Sequence, residues 1–557
     1  MTDPADSGYI SPRQLAGRLT EFAHRTLDVF IRRFLPGGDI PGFVAGHPFG
    51  PDCFGDFIRL LGCMHQLGFR EVGGLEIVPT LIRFLGKVDG TRTETFSSFG
   101  IAETLLRFGV FRDNPLLQTL STSQRQEIAN ACDTTAIYEG PGKLRGVPNN
   151  YWGVLARAEY DRKRLGILEN DGLLKEATQE VAVLLSANPL GFFDDSPRRL
   201  GRYDIYTLET ILFTEPCAEL IGRDLWKESL RSHVELFSQL ALENGASVAW
   251  GRSIGLHSLY GNMELSVVGL FHGLWKEPAC ALSMARHTFE MAQTWFTDGI
   301  TNAHQHRSLT WYRRDRRRAQ MTLDCLVKFA EMALVLLACP EPELDLPVLS
   351  TEELFPPRDV LLPLDPRGAA VWSYRNQNIA FQLPIVHAHN SDYVPTLHSP
   401  GYLENPVDTE LLCGVPRVLV KGIQYTTHGF PAVCEKHANG LRLVYESFLS
   451  LDQYDAPKVF PGRREVVYKV EPDGAIEAHE TWSFPEMPDA LGLQFAQAGR
   501  PFRLVFESSS PHHRDTVDVS GIIEWRTYWG ELNAVHEINF CPAHHVTCLW
   551  RLEPGDK

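Results

Sequence analysis

The sequence lacks the features that would place the chain in a membrane or a secretory pathway. It has no run of about eighteen apolar residues, and its longest apolar stretch, at 329–340, is short and contains a glutamate. The first thirty residues begin with two acids before any base and have no continuous apolar core. We therefore predict no membrane partner, no secretory signal and a cytoplasmic location.

Cysteine pairs, positive charge and glycine-rich phosphate loops are also scarce. The eleven cysteines are odd in number and include no CxxC pair, which favours reduced thiols over disulfides or a zinc site. The 53 Lys+Arg against 69 Asp+Glu give a net charge of −16, which repels polyphosphates, so no nucleic-acid partner is expected. No Walker or dinucleotide loop is present, and we predict no cofactor and no metal.

The pattern of apolar residues changes near residue 340. Before this point apolar residues recur three and four positions apart, which is typical of helices. After it, short alternating or β-branched runs predict strands. The runs at 464–470 and 475–482 are joined by a turn containing Asp-Gly and predict a hairpin. A helical domain is therefore expected to precede an all-β domain.

Loop-to-helix junctions recur about every fifty residues in the helical half. They fall at Phe54, Phe99, Asn150, Asp204, Tyr260 and Arg318. Each interval accommodates one helical hairpin, and six hairpins can close into a ring of inner and outer helices, whereas an irregular helical array is the alternative. We predict an α+β fold class with two domains. These are an (α/α)6 toroid at 1–345 and an antiparallel β-sandwich at 360–557, connected by a linker at 346–359.

Polar residues at the starts of inner helices would converge on one cleft of such a ring. The first group is Asn149 and Asn150, followed by Tyr151 and Trp152. Helix capping explains one of the two asparagines but not the adjacent aromatic pair. We predict that at least one of the asparagines faces a ligand.

The segment at 243–270 has the highest density of candidate residues. It combines Trp250, Arg252, His257 and Tyr260 with several glycines, which let a backbone approach a ligand closely. The alternative is a glycine-rich turn whose histidine and tyrosine are hydrogen-bonded within the protein. Residues 251–255 also match the G-x-S-x-G nucleophile elbow, but that motif requires a strand before it and a helix after it in a doubly wound sheet. The helical context disfavours a serine hydrolase.

A third group lies at 302–318, where arginines alternate with histidines and aromatic residues. The candidates are His304, His306, Arg313 and Arg314. A charge run is commonly a solvated face. The competing interpretation is that these side chains bind a carboxylated or sulfated sugar through bidentate hydrogen bonds.

Carboxylates near the junctions allow a different chemistry. A glycosidase uses two carboxylates, one of them kept protonated. The candidates for such a pair are Asp194, Asp204, Glu209 and Glu264.

Two of these segments resemble polysaccharide lyases built from an incomplete helical toroid followed by β-sheet domains, such as hyaluronate and chondroitin lyases. The Asn149–Trp152 opening is similar to their Asn-Trp-rich helix start, and Leu259–Asn262 is similar to their Ala-Tyr-Gly-Asn segment. Those lyases have a histidine nine residues before the tyrosine, where this chain has Gly251. The segments NGASVAWGRSI and GRYD also resemble the family of domain of unknown function 2264.

The resemblance implies uronate chemistry, and exo-acting β-glucuronidases are among the relatives it suggests. Tyr260 would be the catalytic tyrosine, with Asn150, His257 and Arg252 beside it. The substrate-binding residues would be Asn149, Tyr151, Trp152, Trp250, His304, His306, Arg313 and Arg314. In β-elimination an amide and cationic donors stabilise the uronate carboxylate as its enolate forms, while a phenol near a cation removes the C5 proton.

The expected partner is a uronate-containing oligosaccharide, cleaved at a chain end. Two alternatives stay open, namely an exo-acting glycoside hydrolase with a carboxylate pair and a non-catalytic glycan-binding protein. Homo-oligomer formation is possible on this sequence.

Overall fold

A computed structural model describes most of the chain. The described residues are 8–35, 51–91, 95–139, 150–187, 190–194, 203, 205–248, 256–297, 299–301, 311–385, 413–451, 456–498, 502–520, 526–527 and 530–555. The helices are α1 (Pro12–Phe34), α2 (Pro51–Gln66), α3 (Ile77–Leu85), α4 (Thr95–Leu106), α5 (Thr122–Ala131), α6 (Thr135–Glu139), α7 (Asn150–Leu165), α8 (Gly172–Ala187), α9 (Tyr206–Phe213), α10 (Ala218–Ile221), α11 (Arg223–Leu240), α12 (Leu256–Phe271), α13 (Pro278–Gln293), α14 (Trp311–Leu337) and α15 (Thr351–Leu354).

Six of these helices form a closed inner ring. In ring order they are α2, α4, α7, α9, α12 and α14, and α14 returns to contact α2. Each outer helix contacts an inner helix that is close to it in sequence; the outer helices are α3, α5, α8, α11 and α13. α1, at the start of the chain, packs on α14. The prediction of an (α/α)6 toroid is confirmed.

The sequence explains where several helices start and which face they bury. α1 begins with a capping box, in which Ser11 accepts from the amide of Gln14 and the Gln14 side chain accepts from the amide of Ser11. Its buried face includes Leu15, Leu19 and Leu27, at spacings of four and eight residues. α12 differs, since its residues from Leu256 to Gly269 are all buried. A helix that is buried all round is expected for an inner position in the ring.

Contacts between neighbouring inner helices show in which direction they run. Arg59 on α2 binds Glu103 on α4 over 2.9 Å, and Arg157 on α7 lies 3.8 Å from the same carboxylate. Pairs of contacts that follow the same order along neighbouring helices also occur, and the ends of α4, α9 and α14 line one cavity. The pairs are Gly55–Phe96 and Gly62–Thr104, Gly153–Thr210 and Ala156–Cys217, Gly261–Leu208 and His272–Glu215, and Tyr260–Asp324 and Glu264–Lys328. The inner helices therefore run parallel, and the end of the ring from which they start is called here the N-terminal opening.

The strands of the chain are mostly in its second half. They are β1 (Tyr9–Ile10), β2 (Glu71–Val72), β3 (Leu75–Glu76), β4 (Phe296–Thr297), β5 (Ile300–Thr301), β6 (Leu346–Pro347), β7 (Arg358–Pro363), β8 (Ala370–Arg375), β9 (Ala380–Ile385), β10 (Arg417–Val420), β11 (Ile423–Thr426), β12 (Val433–His437), β13 (Gly440–Ser450), β14 (Val459–Val470), β15 (Ile476–Ser483), β16 (Ala490–Ala498), β17 (Phe502–Ser508), β18 (His512–Asp518), β19 (Arg526–Thr527), β20 (Gly530–Phe540) and β21 (His545–Pro554).

The strands from β10 onward form one large antiparallel sheet. Its order is β17-β21-β15-β14-β13-β11-β10-β16-β20-β18, and the predicted hairpin is β14–β15. The first and last strands in this order, β17 and β18, are consecutive in the sequence, and Phe506 of β17 contacts His512 of β18. The sheet therefore curls into a nearly closed sandwich, as predicted, around a core that includes Trp482 and Trp550.

A buried ion pair lies in the sandwich core. Arg464 binds Glu480 over 2.9 Å, and both side chains are fully buried. The indole N–H groups of Trp482 and Trp550 also donate to Glu480, over 2.6 and 2.9 Å. These bonds satisfy a carboxylate that would otherwise be costly to bury.

A separate three-stranded sheet, β7-β8-β9, joins the sandwich to the ring. Its side chains bind carbonyl oxygens at the C-terminus of α11. Ser373 donates to the carbonyl of Gln239, and Arg375 donates over 2.7 Å to the carbonyl of Ala241, the residue that follows the helix. Carbonyl groups at a helix C-terminus lack partners within the helix, so this sheet satisfies them.

The segment predicted as a linker, 346–359, has secondary structure in the described part of the chain. β6 pairs with β1 near the start of the chain, and α15 begins with a capping box at Ser350. The division into domains at 345 and 360 stays a prediction.

Candidate functional site

Three side chains meet just inside the N-terminal opening of the ring. The hydroxyl of Tyr260 donates to Oδ2 of Asp324 over 2.7 Å and is hydrogen-bonded to Nδ1 of His257. Nδ1 of His257 lies 3.6 Å from the same Asp324 oxygen. Because the phenol gives its only proton to Asp324, this geometry assigns Nδ1 of His257 as a donor to the phenol oxygen. We call these residues the tyrosine cluster.

Two inner helices position the tyrosine cluster. His257 and Tyr260 are three residues apart in α12 and therefore share one face of that helix. Asp324 lies on α14, the next helix of the ring. Tyr260 is only 1% exposed, whereas the Asp324 side chain is 23% exposed. The carboxylate is the member of the cluster that solvent or a ligand reaches most readily.

A layer of charged side chains lies one helical turn below the tyrosine cluster. Glu264 is one turn after Tyr260, and Lys328 is one turn after Asp324, so the two lie about 6 Å deeper. Lys328 Nζ binds Glu264 Oε1 over 3.0 Å, and both residues are 6% exposed. Burial opposes the charge on Lys328, but the nearby carboxylates, Glu264 first among them and Glu331 next, together outweigh burial and raise the pKa of Lys328. Lys328 is therefore held charged.

The rest of the charged layer centres on Arg59. This guanidinium binds Glu331 over 2.8 Å as well as Glu103, and it stacks over the ring of Phe99 at 4.4 Å. Burial raises the pKa of Glu331. For Glu103 the arginines outweigh burial and hold its pKa well below the usual range.

A cavity of about 200 Å³ lies against the charged layer on its C-terminal side. Its walls include Phe213 at the end of α9 and Val335 near the end of α14, together with Arg107. The cavity is thus reached from the end of the ring opposite the tyrosine cluster. The charged layer separates the two.

A second group, the junction cluster, forms where the β7–β8 turn meets the ring. The hydroxyl of Tyr203 is hydrogen-bonded to Asp365 and accepts from Arg367 over 2.8 Å. Arg367 also binds Asp194 over 3.1 Å. Burial, with Asp365 nearby, raises the pKa of Tyr203. The phenol of Tyr203 therefore keeps its proton.

Some of the predicted site residues lie within the described ranges and others do not. Asn150 is the first residue of α7 at the N-terminal opening and is 7% exposed, and Trp152 packs edge-to-face on Tyr138. Tyr151 is half-buried in the first turn of α7. Arg313 and Arg314 fall in the first turn of α14, but their side chains lie outside the description. The residues outside the described ranges are Asn149, Asp204, Trp250, Arg252, His304 and His306.

The predicted hydrolase carboxylates do not come together as a pair in the described contacts. Asp194 is bound to Arg367 and Glu264 to Lys328, while Glu209 is half-buried on α9. The carboxylate beside Tyr260 is Asp324, which is not among the residues predicted from the sequence. A signal existed: Asp324, Lys328 and Glu331 are charged residues on one face of an otherwise apolar part of α14.

The strands before residue 340 test whether the G-x-S-x-G segment could be the nucleophile elbow of a serine hydrolase. Within the described ranges they form short antiparallel pairs, β2–β3, β4–β5 and β1 with β6, rather than a parallel sheet. Residues 251–255 lie outside these ranges. The described part of the helical half thus has no doubly wound sheet to hold a serine hydrolase elbow.

The described residues contain neither a membrane-spanning helix nor a cluster of metal ligands. None of the helices in these ranges is both long and apolar enough to cross a bilayer. Nor do three or more His, Cys, Asp or Glu side chains in the same ranges come together as a possible metal site.

The fold and the site define a helical toroid joined to an antiparallel β-sandwich, with polar clusters at the N-terminal opening. No family model matches the chain and no curated protein is similar to it, so the resemblance to domain of unknown function 2264 stays a prediction.

Similar solved structures include three carbohydrate-processing enzymes. They are the heparan sulfate lyase HepC from Pedobacter heparinus (9% identity, TM-score 0.27, covering 86% of this chain and 76% of that one), a heparinase III gene product (8%, 0.29, 86% and 76%) and a 4-alpha-glucanotransferase from Thermococcus litoralis (10%, 0.27, 53% and 50%). The chain spans half the length of the glucanotransferase. These scores are too low to support a function for this chain. Its function has to be argued from the site itself.

Proposed function

We propose that the chain is a carbohydrate-active enzyme that cleaves uronic-acid-containing oligosaccharides by β-elimination at the N-terminal opening. The observation that carries this proposal is the phenol of Tyr260, held between the imidazole of His257 and the carboxylate of Asp324. A tyrosine placed between two titratable groups can lose and regain its proton.

The chemistry of elimination fits this arrangement. The C5 proton of a uronate moves to the Tyr260 oxygen, the C5 electron pair forms the C4–C5 double bond, and the C4–O bond breaks. Before this step the phenol must give its proton to Asp324, and a protonated His257 would stabilise the phenolate. The same phenol then protonates the leaving oxygen.

Neutralisation of the uronate carboxylate is the second requirement. An amide donor such as Asn150 at the start of α7 supports this role, and Arg252 is the predicted cationic donor. Asn150→Ala is expected to reduce both binding and turnover, because the carboxylate interaction exists in the substrate and strengthens in the transition state.

Hydrolysis is the second candidate, and the partial exposure of Asp324 favours it. A carboxylate that is 23% exposed and accepts a hydrogen bond from a phenol could serve as one member of a glycosidase pair. Glu209 on α9 is the second member on this hypothesis.

Turnover in heavy-oxygen water distinguishes the candidates. Elimination leaves a 4,5-unsaturated uronate that absorbs in the ultraviolet and carries no solvent oxygen, whereas hydrolysis leaves a saturated sugar with one labelled oxygen. Mass spectrometry of the products from short uronate oligosaccharides reads both. A labelled product would overturn elimination. Calorimetric binding without turnover across several pH values would instead indicate a glycan-binding protein.

A further inference from the structure

The loop that leads to the tyrosine cluster is bound tightly to α12. It follows α11 and is described from Ala241 to Val248. The hydroxyl oxygen of Ser258 accepts from the amides of Ser247 and Val248, over 3.1 and 3.0 Å. Ser258 is the residue next to His257. The loop and the first turn of α12 therefore form one hydrogen-bonded unit.

The tip of the same loop packs on α12 with no spare room. Gly245 has φ +86°, which favours glycine, and a Cβ there would approach Leu259 Cδ2 to 2.5 Å. Its carbonyl oxygen accepts from Nδ2 of Asn262 over 3.2 Å. The loop thus contacts α12 on both sides of Tyr260 in sequence.

The opposite side of the loop is held by the β7-β8-β9 sheet. Nε2 of Gln382, on β9, donates to the carbonyl oxygen of Leu240 at the end of α11 and, over 2.7 Å, to that of Ser247. Gln382 is 2% exposed, and both Ser247 and Ser258 are fully buried. One peptide segment is therefore bonded to β9 through its carbonyl and to α12 through its amide.

We propose that Gln382 is a positioning residue that holds this loop, and through Ser258 the first turn of α12, so that His257 stays against the phenol of Tyr260. The inference rests on the proposed function for its catalytic consequence. The sheet that joins the sandwich to the ring then takes part in the reaction without touching the substrate.

The test uses the full chain and a matched pair of substitutions. Gln382→Met removes the two hydrogen bonds and keeps the side-chain length. Gln424→Met makes the same change on β11, where Nε2 of Gln424 is buried without a hydrogen-bond partner among the described residues. Ser258→Ala releases the loop from α12 instead of from β9. The inference can therefore still be tested if Gln382→Met does not fold.

Hydrogen exchange and kinetics are then measured together. In Gln382→Met and in Ser258→Ala we expect the amides of residues 247 and 248 to exchange about tenfold faster and kcat to fall about tenfold, with KM within twofold. Gln424→Met should change neither. The double variant should be no slower than the slower single variant, because both changes release the same loop.

Each other outcome overturns the inference. Unchanged exchange at residues 247 and 248 would contradict the anchoring, and faster exchange with unchanged kcat would contradict the catalytic link. If the two reductions in kcat multiplied in the double variant, Gln382 and Ser258 would act independently, contrary to the inference. If the unmodified chain does not turn over uronate oligosaccharides, the proposed function fails, while the exchange data still decide whether Gln382 anchors the loop.

Discussion

Tyr203 and Tyr260 are both almost fully buried near the same opening of the ring, and each phenol is hydrogen-bonded to an aspartate. The segments that carry them are neighbours, because Ile205, just before α9, packs against Gly261, with a Cβ on that glycine lying 3.5 Å from Ile205 Cδ1. The two sites differ in the third group that contacts the phenol.

The third group decides whether a proton can move. At Tyr203 it is Arg367, whose pKa is raised by hydrogen bonds to Asp365 and Asp194 against the opposing effect of burial, so the guanidinium keeps its proton. At Tyr260 it is His257, whose side chain is the type that most often serves as a general acid or base. The tyrosine beside arginine therefore acts as a structural contact between the β7-β8-β9 sheet and the ring. A tyrosine beside histidine and a partly exposed carboxylate is suited to acid–base chemistry.

The largest expected effect is that of Tyr260→Phe. If Tyr260 moves protons, the substitution lowers kcat by about 10⁴-fold, which is about 5 kcal/mol, and leaves substrate affinity within a few-fold. Initial rates on short uronate oligosaccharides and calorimetric affinity measure the two quantities. Turnover above a tenth of the original rate would show that the phenol is not the proton-transferring group.

The next effect concerns the layer below Tyr260. Lys328→Met leaves the Glu264 carboxylate buried without its partner, and losses of this kind cost about 3–5 kcal/mol. Urea unfolding is expected to register this loss of stability. Lys469→Met, at an exposed lysine paired with Glu471, is the control and should not shift the unfolding midpoint. An unchanged midpoint in Lys328→Met would mean that the charged layer does not support the ring beneath the tyrosine cluster.

The sequence alone was sufficient for the ring and for part of the tyrosine cluster. Helix periodicity and hairpin turns are local patterns, and Asn150, His257 and Tyr260 lie within two short segments. The partners of the two tyrosines could not be found in this way. Asp324 is 64 residues from Tyr260, and Arg367 is 164 residues from Tyr203. Such contacts depend on how the ring closes and where the β7–β8 turn docks, which no local spacing encodes.

A pH effect is expected on the Tyr203 side of the ring. His233 stacks on Phe192, which in turn contacts Tyr203, and burial lowers the pKa of His233 from 6.5 to about 4. Between pH 6.5 and 4 the imidazole of His233 is protonated in the unfolded chain and neutral in the folded chain. Stability contributed by this group is therefore complete above pH 6.5 and falls by about 3 kcal/mol as the pH drops to 4.

Unfolding of His233→Phe as a function of pH measures this contribution. The substitution keeps an aromatic ring in the stack and removes the titrating group, so the slope between pH 6.5 and 4 should become shallower. His437→Gln, at an exposed histidine on β12, is the control and should keep the original slope. An identical slope in His233→Phe would show that His233 is not the group that titrates.

The smallest effect is expected for Tyr203→Phe, and it decides the comparison between the two tyrosines. Asp365 and Arg367 remain hydrogen-bonded to each other after the phenol oxygen is removed, so the loss of stability should be about 1 kcal/mol. Turnover should stay within about threefold, because no proton passes through this phenol. Thermal unfolding and initial rates, measured beside Tyr260→Phe, test both statements. If Tyr203→Phe lost as much activity as Tyr260→Phe, the arginine-bound phenol would also be required for the chemistry. Catalysis would then depend on the docking of the β7–β8 turn as directly as on the ring.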